Sequence, residues 1–116
     1  MAIEGYPRSI RLRKRPEFLA VQRGGARLPA RRLVVLWREG RSRSRFGLVV
    51  SRRVGNAVTR NRVKRWLREA IRRGPSGDLP AVDVVVIART SAVDAGQHGL
   101  AQELWSALAH LPAGDI

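Results

Sequence analysis

Cysteine is absent from the 116 residues, which excludes disulfide bonds and thiolate metal sites. Acidic residues are scarce: 9 Asp and Glu stand against 23 Lys and Arg, a formal charge of +14, and 21 of those cations are arginine. No apolar run approaches the roughly 20 residues that span a bilayer. The opening "MAIEGYPRSIRLRKRP" has neither the apolar stretch of a secretory signal nor a lipidation site, so the cytoplasm is the expected compartment. Gly24-Gly25 is not followed by the Lys-Ser/Thr of a phosphate-cradling loop. His98 and His110 have no carboxylate or thiol at ligand spacing, and Asp78, Asp83 and Asp94 are dispersed where capping or solvation accounts for them. Ser42 and Ser44 belong to a basic hairpin loop, "RSRSR". Neither a catalytic side chain nor a protein-bound metal is expected.

What the chain does have is a core. Apolar residues make up 44% of it, and a chain of this size hides roughly two thirds of its surface on folding. A single domain over residues 1–116 is expected, with a mobile basic arm at 1–13 and a tail at 112–116. So large a positive surplus repels itself unless a polyanion shares it, which points to nucleic acid before anionic membrane.

"RPEFLAVQRGG" predicts a short helix, with Pro16 in its first turn, Phe18, Leu19 and Val21 on its apolar face, and Gly24-Gly25 ending it. "RRLVVLWR" (31–38) and "FGLVV" (46–50) read as strands, and 31–50 as a hairpin. Asn56 is a candidate N-cap for a helix from Ala57 to Arg73, ended by Gly74-Pro75. "DVVVIA" (83–88) is a continuous apolar run, as in a strand buried on both faces. A last helix is expected from Gln97 to Leu111, with Leu100, Leu104, Trp105, Leu108 and Leu111 at helical spacing. The order α-β-β-α-β-α, with room for one further short strand, predicts an α+β fold: a small, mostly antiparallel sheet packed with helices.

The segment "TRNRVKRWLREAIRR" (59–73) places seven cations in fifteen positions against one carboxylate, Glu69. At about 100° per residue, Val63, Trp66, Leu67, Ala70 and Ile71 share one stripe, while Asn61, Arg65, Arg68 and Arg72 share the opposite side. Lys64 and Arg62 flank that row, and Arg60 projects toward the apolar side of the first turn. Like charges one turn apart destabilise a helix, so this face calls for phosphates as counter-charge. Arginine's planar fork pairs with phosphate and stacks on bases, which suits irregular RNA as well as duplex DNA.

The run "SRRVGNAVTRNRVKRWLRE" (51–69) resembles the signature of the bacterial ribonuclease P protein subunit. "RLRKRPEFLAVQRGG", "FGLVVSRRVGNAV" and "DVVVIAR" resemble other parts of the same family. The resemblance implies a left-handed β-α-β crossover, binding to a large catalytic RNA, and help in removing the 5′ leader of precursor tRNA. It assigns RNA contact to Arg60, Asn61, Arg62, Lys64, Arg65 and Arg68, and to the basic pair Arg52 and Arg53; the comb's end, Arg72, joins them. It implies a cleft between the first helix and the sheet for the single-stranded leader, with Phe18 at an aromatic position. Relatives often carry a second helix aromatic where this chain has Gln22, and a first-strand aromatic where it has Leu36 followed by Trp37. Leu36 and Trp37 are the cleft candidates there, although adjacent strand residues change face. The family-implied reaction is phosphodiester hydrolysis with Mg²⁺ held mainly by the RNA, one protein per RNA. The alternative is a ribosomal or RNA-chaperone-like protein without associated cleavage. A duplex-DNA reader is disfavoured, because the outer face is nearly all phosphate-seeking arginine, with only Asn61 suited to adenine.

Overall fold

A computed structural model of the protein describes residues 11–12, 14–40, 44–74 and 82–111. The elements run α1 (Arg15–Gly24), β1 (Ala26–Pro29), β2 (Leu33–Glu39), β3 (Arg45–Val49), α2 (Ala57–Arg73), β4 (Val82–Ala88) and α3 (Ala92–Leu108). The α+β class holds, and the further short strand is β1. Ser42, Asp78, the tail 112–116 and most of the arm 1–13 lie outside the described residues.

The sheet order is β1-β2-β4-β3. β1 and β4 both run antiparallel to β2, whereas β3 and β4 are parallel. This corrects the expected hairpin over 31–50: β2 and β3 follow one another in sequence but β4 lies between them. The reason is burial. Val84, Val86 and Ala88 enter the core on one face and Val85 on the other, so β4 needs a strand on each side and a layer above and below. Parallel neighbours cannot be joined by a tight turn, and α2 supplies the crossover from β3 to β4.

Alternation along the strands divides the interior in two. The larger core joins Leu33, Val35, Phe46, Val84 and Val86 to Val63, Leu67 and Ile71 of α2 and Leu100, Leu104 and Leu108 of α3. The indole N–H of Trp105 donates to the Ala70 carbonyl at 2.8 Å, fastening α3 to α2. The smaller core holds Leu12, Val21, Val34, Leu36 and Val85 under α1, with Phe18, Val49 and Ile87 half-buried at its margin.

Two further expectations are corrected. Arg11 and Leu12 are not part of a mobile arm: Arg11 bridges β3 at Phe46, and the Leu12 N–H donates to the Phe46 carbonyl at 2.8 Å with its side chain buried. The last helix begins at Gln97 as expected, but a short helical turn from Ala92 precedes it across a break at Gly96, whose φ of 71° lies in the left-handed region that glycine tolerates, and its end falls short of Leu111. It ends at Leu108, and Leu111 is buried beyond it in a turn.

Candidate nucleic-acid interface

α2 starts where the Asn56 side chain accepts the Thr59 N–H at 2.9 Å and ends where the Gly74 N–H donates to Ala70. Val63, Leu67, Ala70 and Ile71 are buried and Trp66 is half-buried, which fixes the helix's rotation on the sheet. That rotation leaves Asn61, Arg62, Arg65 and Arg68 exposed and Lys64 partly so. Arg52 and Arg53 are exposed in the turn between β3 and α2. Among the described residues no carboxylate pairs with any of these seven. The first turn of α2 holds no acidic residue either, so the positive end of the helix dipole adds to the same field.

Two members of the comb differ from the rest. Arg60 is half-buried, and its Nε is enclosed without a hydrogen-bond partner. Arg72 is held by Glu69, which accepts its Nε at 3.1 Å and also its Nη2, while Arg73 Nε approaches the same carboxylate at 3.2 Å. The hydrogen bond from Arg72 holds the Glu69 carboxyl below its ordinary pKa, with the two positive charges reinforcing it and desolvation opposing. The uncompensated stretch therefore runs from Arg52 to Arg68, and Arg72 is neutralised at its end.

The second candidate surface is the α1 face of the sheet. The Phe18 ring lies directly over Gly47, so close that a Cβ there would fall on the ring. Leu36 is on this face but only 8% exposed, and half-buried Val49 and Ile87 continue the apolar floor. Trp37 is not on it. It packs against the larger core on the opposite face, so it does not stand in for a cleft aromatic. Gln22 is exposed on α1.

Reasoning from sequence missed three features. Asp83 is not a solvated strand start: it is 7% exposed and paired with Arg45 of β3, which also holds Glu17 of α1. The Asp83 hydrogen bond raises the Arg45 pKa against desolvation, with Glu17 adding to it. Ser44 is buried rather than part of an open loop. Arg89 was passed over as well. It is exposed just past the end of β4, and its N–H donates to the Arg32 carbonyl just before β2. Its signal was the cation closing "DVVVIAR". His98 is exposed on α3 beside Gln102, and His110 is exposed in the turn after α3, next to the Ser106 carbonyl. Among the described residues no three His, Cys, Asp or Glu converge as a metal site, and no helix is long and apolar enough to cross a membrane.

A cationic helix with an apolar back, next to a half-covered sheet, defines a basic α+β protein built to bind nucleic acid. The sequence matches the ribonuclease P family model over residues 6–112. The ribonuclease P protein component of Citrifermentans bemidjiense is 37% identical over 113 residues, covering 96% of each chain. That of Shouchella clausii is 48% identical over 86 residues, covering 72% of this chain and 70% of that one. Among solved structures, the RNase P protein of Thermotoga maritima aligns with a TM-score of 0.79 at 35% identity, covering 89% of this chain and 98% of that one. The Staphylococcus aureus protein aligns with a TM-score of 0.80 at 30% identity, over 86% and 93% of the two chains. The chain belongs to the family of the ribonuclease P protein component, the RNA-binding protein subunit of a tRNA-processing ribonucleoprotein.

Proposed function

We propose that this subunit docks α2 and the Arg52–Arg53 turn onto the catalytic RNA of ribonuclease P and grips the 5′ leader of precursor tRNA across the α1 face, while the RNA carries out the cleavage. The observation that carries the reading is the row of cations from Arg52 to Arg68 without a carboxylate partner among the described residues. Phosphates brought together in a folded RNA repel one another, and guanidinium groups carried on a preformed helix offset that repulsion, their planar forks losing less freedom per hydrogen bond than an ammonium would. The apolar floor around Phe18 suits unstacked bases, and a cleft that holds the leader favours precursor over the product that has lost it.

The described side chains do not offer Mg²⁺ a cage of carboxylates. Glu17 and Asp83, which do lie close together, are committed to Arg45. We propose that the Mg²⁺ that serves hydrolysis is held mainly by the RNA, and that one protein joins each RNA in the cytoplasm. The test is reconstitution with a matching catalytic RNA at low magnesium. Precursor cleavage should rise on adding the protein, and the protein alone should cut nothing. Cleavage by the protein alone would refute the division of labour. Failure to stimulate would favour a non-catalytic, RNA-chaperone-like role.

A further inference from the structure

Glu17 and Asp83 sit on the same side of the sheet as the α1 cleft, where a leader phosphate would meet repulsion from free carboxylates. Both are held by one guanidinium. Arg45 donates from Nε and Nη2 to the two oxygens of Asp83, each at 3.0 Å, and from Nη1 to Glu17 at 2.8 Å. The other Glu17 oxygen accepts the Lys14 N–H at 3.0 Å and closes the first turn of α1. A single side chain thus joins three elements: α1, β3 and β4.

The joint lies beside the ring that forms the cleft. Phe18 follows Glu17 on α1, and the Gly47 beneath its ring is two residues from Arg45 on β3, on the same face. Whatever sets the distance from Glu17 to Arg45 also sets the distance from Phe18 to Gly47. We propose that Arg45 is a positioning residue for leader recognition: through Glu17 and Asp83 it fixes α1 over β3 and β4, seats the Phe18 ring, and offsets part of the negative charge of the two carboxylates on that face. The inference rests on the α1 face being the leader site. The two legs differ in kind. The bidentate leg to buried Asp83 anchors Arg45 to the sheet, whereas the leg to Glu17, between side chains 31% and 29% exposed, couples that anchor to the helix.

Glu17→Gln separates positioning from plain electrostatics by sign. Glutamine retains one carbonyl oxygen for the Lys14 N–H, so the helix cap survives, but its remaining amide group cannot accept from Arg45. The substitution makes the protein more positive, so charge alone would tighten leader binding; loss of position loosens it. Holoenzyme reconstituted with the variant is assayed on precursor tRNA with a full leader and on the same substrate with the leader cut to one nucleotide.

The preference for the full leader, read in KM, should fall about three- to fivefold, with kcat, affinity for the catalytic RNA and thermal midpoint close to wild type. Gly47→Ala, which pushes Phe18 off its seat while leaving the clamp in place, should lower the same ratio. An unchanged or increased ratio in Glu17→Gln overturns the inference, and so does a ratio that falls only in step with the fraction unfolded. Wild-type holoenzyme with no leader preference removes the leader-site reading itself, a result distinguishable from failure of the clamp alone.

Discussion

The outer side of α2 and the α1 side of the sheet both face solvent, and they treat charge in opposite ways. From the Arg52–Arg53 turn along α2 to Arg68 the arginines, all exposed except half-buried Arg60, have no carboxylate partner among the described residues. On the α1 side the arginine at the first position of β3 holds two carboxylates, and the adjoining floor is apolar. The first surface has strong field and little shape, which fits a partner whose own fold supplies the specificity. The second has shape and little field, which fits a flexible strand that must be caught by its bases.

The sharpest way to break this comparison is to replace Arg65 and Arg68 together with alanine. At about 1.4 kcal/mol for each lost charge-assisted contact, affinity for the catalytic RNA should drop by about a hundredfold. The log–log salt slope should flatten by about 1.5 to 2 units, with the thermal midpoint unchanged because both side chains are exposed. An unaltered slope would remove α2 as the phosphate-contacting face.

A smaller effect is expected for Phe18→Ala. Stacking worth about 1–3 kcal/mol per base translates to about five- to a hundredfold in the preference for leader-bearing substrate, with salt dependence unchanged. Equal losses on precursor and mature tRNA would assign the ring to the core rather than to the leader.

The smallest effect, and opposite in sign, belongs to Glu69→Gln. Releasing Arg72 and Arg73 should tighten RNA binding by up to about threefold, measured by titration at low salt. Because Arg72 keeps the Glu69 pKa below its ordinary value, the pair stays formed at neutral pH. Its stabilising contribution is present above the unfolded carboxylate pKa and lost only as the pH falls through the lowered one. Weaker binding by Glu69→Gln would mean that the ion pair orders the end of the helix for RNA.

Local chemistry made α2 readable. Asn56 as its cap, the stripe at Val63, Leu67, Ala70 and Ile71, and the exposed arginines opposite all follow from a 100° step. β4 was legible for a similar reason, since an unbroken apolar run describes a strand with two covered faces. The partners of strands were not. Nothing between residues 39 and 45 distinguishes two strands that pair from two held one strand apart, because the separator comes from beyond α2. β1 escaped notice because Ala26–Pro29 is short, largely exposed and ends in proline. The Arg45 clamp joins residues 28 and 38 positions apart, and neither separation has a period to betray it. Family resemblance supplied the cleft as a concept, but only the alternation of β2 shows that Leu36 lies on the α1 face and Trp37 on the opposite one.

The placement of β4 bears on the order in which the molecule comes into being. Strands β2 and β3 leave the ribosome early, yet neither can complete its hydrogen bonding until residues 82–88 have been made and threaded between them. Until then α2 has its oily underside facing an unfinished platform, and contacts between parts so distant in sequence form slowly. Beyond residue 82 the chain contributes one cation, Arg89. Nascent chains halted short of that strand would keep nearly all the charge and lose the geometry that gives it an address, which makes the least basic third of the polypeptide the arbiter of whether the rest can find its RNA.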